Sequence, residues 1–341
     1  MKLTKLGLLS ASIALILSGC NSDDSSSGTT PVTLSVSDAP VDEVSKVVVT
    51  YSKVAFLPLG SDKPILFDVY KTDDEGNPVD ENGNPLPDGE DPIPLSVNLL
   101  DFQGGDAQEL IENQNIPTGD YKLCLFANDG DHPTYPSYVE AVGTGNHPLT
   151  VQGEGKCPQG VGSIDNAGVL YFNDTFTVNN DNNDYVVEFD LRRGLKEPKN
   201  GSDTYTIQRT SVSLVNTTEV GEIGGNVARA TMNDCLADST PSSAFSHAVY
   251  LYEGDVTQAD MGSFAGTGAV TPITAANVTL DDDGTYEYEF GFVKPGTYSV
   301  GYTCTANNDS EEGLTANETF RIHAADSGLD VIAGSETTAH F

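Results

Sequence analysis

The sequence is divided into short apolar runs separated by turns, and this pattern limits the fold more than any other feature. The runs are rich in β-branched and aromatic residues, and stretches rich in Gly, Pro, Asn and Asp lie between them. Segments with helical periodicity are nearly absent, and a single helical turn is expected at Asp106–Gln114. The pattern predicts an all-β chain of antiparallel β-sandwiches. Its clearest strands are Val32–Val36, Lys46–Phe56, Tyr121–Phe126, Gly168–Val178 and Asp184–Leu191.

The stretch DDDGTYEYEFGFVKPGTYSVGYTC, from Asp281 to Cys304, shows the alternation most clearly. Asp283-Gly284 and Pro295-Gly296 supply turns, because Gly tolerates positive φ and Pro fixes φ. Between them, side chains alternate with the period of a β-strand. We therefore expect an acidic face toward solvent and an aromatic face toward a core, the latter formed by Tyr286, Tyr288, Phe290 and Phe292.

The N-terminal sequence, MKLTKLGLLSASIALILSGC, follows the secretory pattern. Two lysines precede an apolar segment, Leu6–Leu17, that is too short to span a bilayer as a stable helix. The LSGC sequence that ends at Cys20 resembles the lipobox of bacterial lipoproteins, which are cut before the cysteine and acylated on it. We expect a signal peptide over residues 1–19, a lipid on Cys20 and a flexible, polar tether over residues 20–31. An ordinary cleaved signal with a chance cysteine is the alternative.

The residue after Cys20 bears on localisation. Familiar Gram-negative bacteria retain lipoproteins with Asp at this position in the inner membrane, whereas this chain has Asn21. The sequence therefore favours a lipid-anchored protein of the cell envelope, at the outer rather than the inner membrane. Whether the protein faces the periplasm or the exterior stays open.

The strongly acidic composition limits the partners. The formal net charge is −35, from 51 acidic and 16 basic residues. Nucleic acids and anionic membrane surfaces require basic patches, so the charge argues against both. The expected partners are the membrane, through the lipid, and polysaccharide or other envelope proteins. A solvated acidic coat is the simplest explanation of the charge.

The other four cysteines are even in number, as expected for disulfides in an oxidising compartment. Three pairings are open. We favour Cys124–Cys157 and Cys235–Cys304, because each bond then closes a loop within one expected domain. A zinc site is the alternative, but the wide spacing contains no Cys-x-x-Cys pair.

Two acidic turns are candidate calcium sites. Asp80, Asn82 and Asn84 have the i, i+2, i+4 spacing of a calcium loop, but Pro85 stands where the sharp turn of that loop requires Gly. This first candidate lies in a long polar insertion, Thr72–Pro92, for which a solvated hairpin loop is the default interpretation. The second candidate is a loop tip formed by Asp281, Asp282 and Asp283. No other cofactor is expected.

Carbohydrate binding has one candidate site. Sugar-binding proteins stack sugar rings on exposed aromatic side chains, and HPTYPSY places Tyr135 and Tyr138 beside prolines in an expected loop. The chain has 14 Tyr, 13 Phe and no Trp, and the lack of Trp weakens this interpretation. A rigid loop packed on the sandwich edge is the alternative.

Catalysis finds little support in the sequence. It contains no His-Glu-x-x-His, no Gly-x-Ser-x-Gly and no phosphate-binding Gly-rich loop before a helix. We therefore do not expect an enzyme, although the geometry of paired carboxylates is not visible in a sequence.

Three segments of the first part of the chain carry a family resemblance: LSVSDAPVDEVSKVVVTYSKVAF, LSVNLLDFQGGDAQELIENQNIPTGDYKLCLF and VVEFDLRRGLKEPKNGSDTYTIQRTSVSLV. Together they resemble the domain-of-unknown-function family 4382 of prokaryotic secreted and lipid-anchored proteins. The resemblance covers about Val32 to Val215, and the insertion Thr72–Pro92 departs from it. It implies a prealbumin-like β-sandwich and carries over no catalytic residue.

The remainder, from GEIGGNV through HAVYLYEG to the Asp281–Cys304 stretch, is similar to carboxypeptidase-regulatory-like sandwiches, whose relatives include starch-binding modules and structural spacers. The expected domains are thus a first β-sandwich over residues 32–218 and a second, prealbumin-like or immunoglobulin-like, over residues 222–341. We expect a non-catalytic envelope lipoprotein that serves as a binding or structural module. The alternatives are a carbohydrate-binding lipoprotein that helps capture polysaccharide and a surface adhesion protein stiffened by calcium.

Overall fold

The computed structural model describes most of the chain after the N-terminal region. The described residues are 28–39, 44–60, 63–73, 75–87, 89–152, 155–240, 244–264, 266, 270–281, 283–309 and 320–341. The expected signal peptide, Cys20, most of the tether and Asp282 lie outside these ranges.

The first unit contains thirteen strands and one short helix, α1 (Leu191–Gly194). The strands are β1 (Thr29–Ala39), β2 (Val44–Pro58), β3 (Ile65–Asp68), β4 (Leu95–Asn98), β5 (Gln108–Pro117), β6 (Gly119–Asn128), β7 (Tyr138–Ala141), β8 (Gly145–Val151), β9 (Ala167–Val178), β10 (Asp184–Asp190), β11 (Leu195–Lys196), β12 (Tyr205–Ile207) and β13 (Val212–Asn216).

These strands form two sheets that face each other. One sheet has the order β13-β10-β1-β5, and the larger has the order β11-β12-β8-β7-β2-β6-β9, with β3 and β4 both paired to β2. Their inner faces enclose one apolar core, in which Tyr51, Phe56 and Phe189 are fully buried. The expected β-sandwich is therefore present.

Two local expectations for the first unit are wrong. Thr29–Pro31, assigned to the tether, pair with the end of β5, and Thr30 is buried, so the folded unit begins three residues earlier than expected. The helical turn expected at Asp106–Gln114 is instead the start of β5, because its Leu110 and Ile111 reach the core only in the extended conformation that pairs with β1.

Among its described residues, the second unit contains eight strands and one α-helix, α2 (Arg229–Asp238), which the sequence pattern did not predict. The strands are β14 (Gly221–Asn226), β15 (Ala248–Glu253), β16 (Thr274–Asn277), β17 (Thr279–Leu280), β18 (Tyr286–Val293), β19 (Gly296–Thr303), β20 (Ala324–Val331) and β21 (Glu336–Thr338). They form two four-stranded sheets, β17-β18-β14-β21 and β16-β15-β19-β20.

Alternation in the Asp281–Cys304 stretch places its side chains largely as expected. Tyr288, Phe290 and Tyr302 are buried in the core of the second unit. A register shift where β14 pairs with β18 changes the end of β18, and Phe292 packs against the first unit instead. The fold class is thus all-β, although three strand pairs among the described residues are parallel: β1–β10, β8–β12 and β14–β21.

One disulfide lies in each unit, with the pairing that the sequence favoured. Cys124–Cys157 joins β6 to a loop that covers the outer face of the large sheet. Cys235–Cys304 joins α2 to the end of β19, and both cysteines are fully buried. In the part of the chain that is described, no helix has the length and apolar character needed to cross a membrane.

Candidate functional site

The two units meet at a junction built on glycine. Gly291 of β18 lies directly against the backbone of the Gln103–Gly105 loop of the first unit. A Cβ placed on Gly291 would lie 2.2 Å from the carbonyl oxygen of Gly104. Only a residue without a side chain permits this approach, so the contact fixes how closely β18 and the loop dock.

The loop that receives Gly291 is held in place by the first unit. The Ser37 hydroxyl of β1 donates to the carbonyl oxygen of Phe102 at 3.2 Å or to that of Asp106 at 2.8 Å. The Gln103 side chain donates to the carbonyl oxygen of Leu100. The backbone N–H of Asp38 also donates to the carbonyl oxygen of Phe102 at 2.9 Å, so the loop is held against β1 where it meets β18.

An apolar cluster and one hydrogen bond extend the junction. Phe292 packs with Val186, Val215 and Val220, and with Ala107 beside the glycine contact. Arg192 of α1 donates to the Asn277 side chain of β16 at 2.8 Å. Apolar, polar and backbone contacts therefore all cross between the two units.

A cavity of about 240 Å³ opens at one side of this junction. Two carboxylates of β10, Glu188 and Asp190, line it from the first unit, since residues two apart on a strand share a face. Phe292, Lys294 and Tyr298 line it from the second unit. The cavity therefore combines acidic, cationic and aromatic groups from both units.

Burial changes the protonation of both carboxylates. Desolvation raises the pKa of Glu188 to about 8, the charge of Asp190 adds to the effect, and Lys294 opposes it. Desolvation likewise raises the pKa of Asp190 to about 6, although the backbone N–H of Arg193 donates to its carboxylate at 3.0 Å. Asp190 thus caps α1, and Glu188 is protonated over most of the neutral range.

A second cavity, of about 380 Å³, lies at the junction beside the Gly104 contact and is acidic. Glu222, Glu287, Glu289 and Glu336 line it. The pKa of Glu289 is raised by burial and by Glu222, while a hydrogen bond from the Gly105 backbone opposes the shift. The glutamate face of β18, expected to point to solvent, therefore points in part toward the first unit.

Across the described ranges, no group of three or more His, Cys, Asp and Glu residues is arranged to hold a metal ion.

The carbohydrate candidates, Tyr135 and Tyr138, are half-buried and do not form a common exposed platform. Tyr138 begins β7 and pairs with Val48 and Pro148. The Tyr135 ring stacks on His132 with a centroid distance of 6.4 Å, and its carbonyl oxygen accepts a bond from Asn128. The hydrogen bond from Asn128 and the contact with His132 hold Tyr135 in its loop, while Tyr138 is part of the sheet.

The calcium candidate at Asp80 serves its own turn. Its carboxylate accepts from the backbone N–H groups of Asn82 and Asn84, at 2.8 Å each, and from the Asn84 side chain. These bonds lower the pKa of Asp80. At the other candidate, the Asp283 carboxylate accepts from the Thr285 backbone, Asp281 is exposed, and Asp282 is outside the described residues.

Sequence reasoning did not identify the junction carboxylates. The sequence pattern assigned Glu188 and Asp190 only to a strand. The signal that could have identified them is that two acids share one face of this strand, while the residues beside them, Val187 and Phe189, belong to the core. A half-buried acidic pair between core residues of a strand often marks a site or an interface.

Comparisons with known proteins give one family match. The profile of the family described as "Domain of unknown function (DUF4382)" matches residues 29–208, more than half of the chain. No curated protein matches the chain.

Solved structures give only distant likenesses. A protein of Bacteroides fragilis provisionally described as a cell adhesion protein is 10% identical, with a TM-score of 0.21 over 91% of this chain and 92% of that one. The minor pilin GBS52 of Streptococcus agalactiae is 10% identical, with a TM-score of 0.16 over 91% and 94%. TM-scores this low support no argument about this chain.

Proposed function

The chain belongs to the DUF4382 family, and from that premise we propose that it is a non-catalytic module of the cell envelope, held at the outer membrane by a lipid on Cys20. In this proposal the two β-sandwich units act as one rigid body, which holds the surfaces of the two units in a fixed relation to each other, and the tether joins that body to the membrane.

The junction is the observation that carries the proposal. A flexible pair of domains needs only a linker, whereas here a glycine contact, an apolar cluster and the Arg192–Asn277 hydrogen bond act together. Interfaces between domains in one chain allow relative motion unless they are well packed. The packing therefore favours a rigid unit.

The buried carboxylates fit the same proposal. A raised pKa is a property of many catalytic acids. Here the second unit covers Glu188 with Phe292 and Lys294, and Asp190 is engaged in capping α1. Both carboxylates line the cavity between the units, and this position favours a junction role over catalysis.

The membrane anchor rests on the sequence. The lipobox resemblance ends at Cys20, and residues 21–27 are small, polar and acidic, as expected for a tether. Several acyl chains give durable attachment, since each buried methylene contributes about 0.8 kcal/mol.

Cell fractionation tests the anchor. We expect the wild-type protein in the membrane fraction and Cys20→Ala in the soluble fraction. Ser26→Ala, a change of similar size in the tether, serves as the control and should stay with the membrane. Membrane retention of Cys20→Ala equal to that of the control would show that the lipid is not the anchor.

A further inference from the structure

Two strand edges of the first unit face each other across a groove of about 980 Å³. β5 ends the four-stranded sheet, and β3 pairs only with β2 in the larger sheet. Within the described residues no strand pairs with the outer edge of either one. β5 lines the groove continuously from Gln108 to Gln114, and β3 lines it from Leu66 to Asp68. Unpaired strand edges are templates for an added strand.

The groove has an apolar floor below these edges. Phe67, Leu95, Leu110 and Ile111 line it and pack against the core of the first unit. Leu66, on β3, is 46% exposed, which is unusual for a large aliphatic side chain. An extended segment lying in the groove could therefore bury alternate side chains while its backbone pairs with β5.

The rim of the groove is acidic. Asp68, Asp73, Glu75, Glu109 and Glu112 line it. The one basic residue in the lining, Lys71, directs its amine to the carbonyl oxygens of Asp80 and Glu81, which lie outside it. The pKa of Glu109 is raised by burial, then by the negative charges of Glu112 and Asp184. A cation placed in the groove would lower this repulsion.

We infer that the groove binds an extended, basic segment of a partner protein, which adds a strand to the free edge of β5. The seven residues Gln108–Gln114 would pair with a segment of similar length, roughly 23 Å when extended. A second copy of this chain is a poor occupant, because its formal charge is −35. Residues 21–27 are equally unsuited, since they include Asp23 and Asp24 and no basic residue.

Synthetic peptides test the inference on the folded, disulfide-bonded protein. The probe is a fluorescent nine-residue peptide, KVTVKVTVK, and fluorescence anisotropy measures its affinity. The controls are EVTVEVTVE, which reverses the charge, and a form of the lysine peptide that is N-methylated at its valines, which retains the charge but cannot donate those backbone hydrogen bonds. We expect both controls to bind at least tenfold more weakly.

Matched variants locate the binding. Leu66→Lys adds a positive charge and removes apolar surface within the groove, and it should weaken binding at least tenfold. Leu280→Lys makes the same change at a 56% exposed leucine of the second unit and should leave the affinity within twofold. We expect both variants to fold, because each leucine is exposed, and their melting temperatures check this expectation. Amide hydrogen exchange at Gln108–Gln114 should slow when the peptide is bound.

Three outcomes would overturn the inference. Equal affinity of the lysine peptide and its N-methylated form would mean attraction by charge alone. Equal effects of Leu66→Lys and Leu280→Lys would place the peptide elsewhere. A wild-type dimer in sedimentation that Leu66→Lys converts to a monomer would make a second copy the occupant.

Discussion

Glu188 is a carboxylate whose protonation is set by the contact between two domains. Its strand supplies the core residues Val187 and Phe189 on one face, while its own side chain lines the open cavity between the two units. The pKa of about 8 means that the folded protein holds a proton there which the unfolded chain releases near pH 4.5. Stability of the junction should therefore depend on pH in the neutral range.

We predict that the wild-type protein loses stability as the pH rises from 6.5 to 8.5. Up to the folded pKa of about 8 the unfolded chain has released the proton from Glu188 and the folded protein still binds it, so raising the pH favours unfolding, and the loss levels off above that pKa. The raised pKa of Asp190, about 6, acts mainly below this window. Thermal melts across the window measure the dependence.

Glu188→Gln tests the assignment, because glutamine is uncharged and nearly isosteric. It should flatten the pH dependence and be more stable than the wild type at pH 8.5, by an amount on the order of a few kcal/mol. Glu197→Gln, at an exposed position, should retain the wild-type slope. An unchanged slope in Glu188→Gln would show that Glu188 does not bind the proton.

At the scale of elements, the insertion between β3 and β4 is a repeated turn. Asp73 and Asp80 each accept from two backbone N–H groups, two and four residues on, and from an asparagine side chain four residues on. Gly76 and Gly83 adopt positive φ, near +80°, at equivalent places in the two turns. The segments DDEGNPV and DENGNPL of the sequence are therefore two copies of one turn motif, in which the aspartates act as hydrogen-bond acceptors.

We predict that Asp80→Ala speeds amide hydrogen exchange at Asn82 and Asn84 several-fold, because both N–H groups lose their acceptor. Glu81→Ala, in the same turn, should leave both rates unchanged. NMR measures the exchange. The same spectra, recorded with and without millimolar calcium, should not differ at these residues, and a calcium-dependent shift confined to Asp80–Asn84 would support the calcium interpretation instead.

The local pattern of apolar residues predicted where strands lie better than it predicted which strands pair with each other. The alternation in Tyr286–Phe290 identified both the strand and its core face, and loop closure within each domain identified the two disulfides. The local pattern gave the wrong element at β5, because QELIENQ has residues that suit a helix. Pairing with β1 outweighs this local propensity. The local pattern also missed α2, a segment whose apolar residues have no clear period and which the disulfide to Cys304 fixes.

The candidate site could not be predicted from the sequence, for a related reason. The importance of Gly291 depends on Gly104, which is far away in the chain, and no local pattern indicates that the two residues touch. The same holds for Glu188, whose cavity requires Phe292 and Lys294 from the second unit. Contacts between units depend on the complete fold, whereas alternation reports only which face of a strand is apolar.

At the scale of the whole molecule, the account depends on the junction. Each unit has its own core and its own disulfide. What joins them is the contact between Gly291 and the Gln103–Gly105 loop, supported by the cluster around Phe292. A rigid junction would turn two small sandwiches into a single body, in which the groove of the first unit keeps a fixed position relative to the second unit.

The most direct test is the distance between the two units in solution. Spin labels on cysteines at exposed Leu59 and Leu280, in a Cys20→Ala background with both disulfides intact, allow pulsed electron spin resonance to measure it. We predict one narrow distance distribution, which Gly291→Ala broadens because its Cβ meets the Gly104 carbonyl oxygen. Gly28→Ala, whose Cβ meets no atom closer than 4.0 Å, should leave the distribution narrow. A broad distribution in the unsubstituted junction, or one that Gly291→Ala does not change, would contradict the rigid-body account.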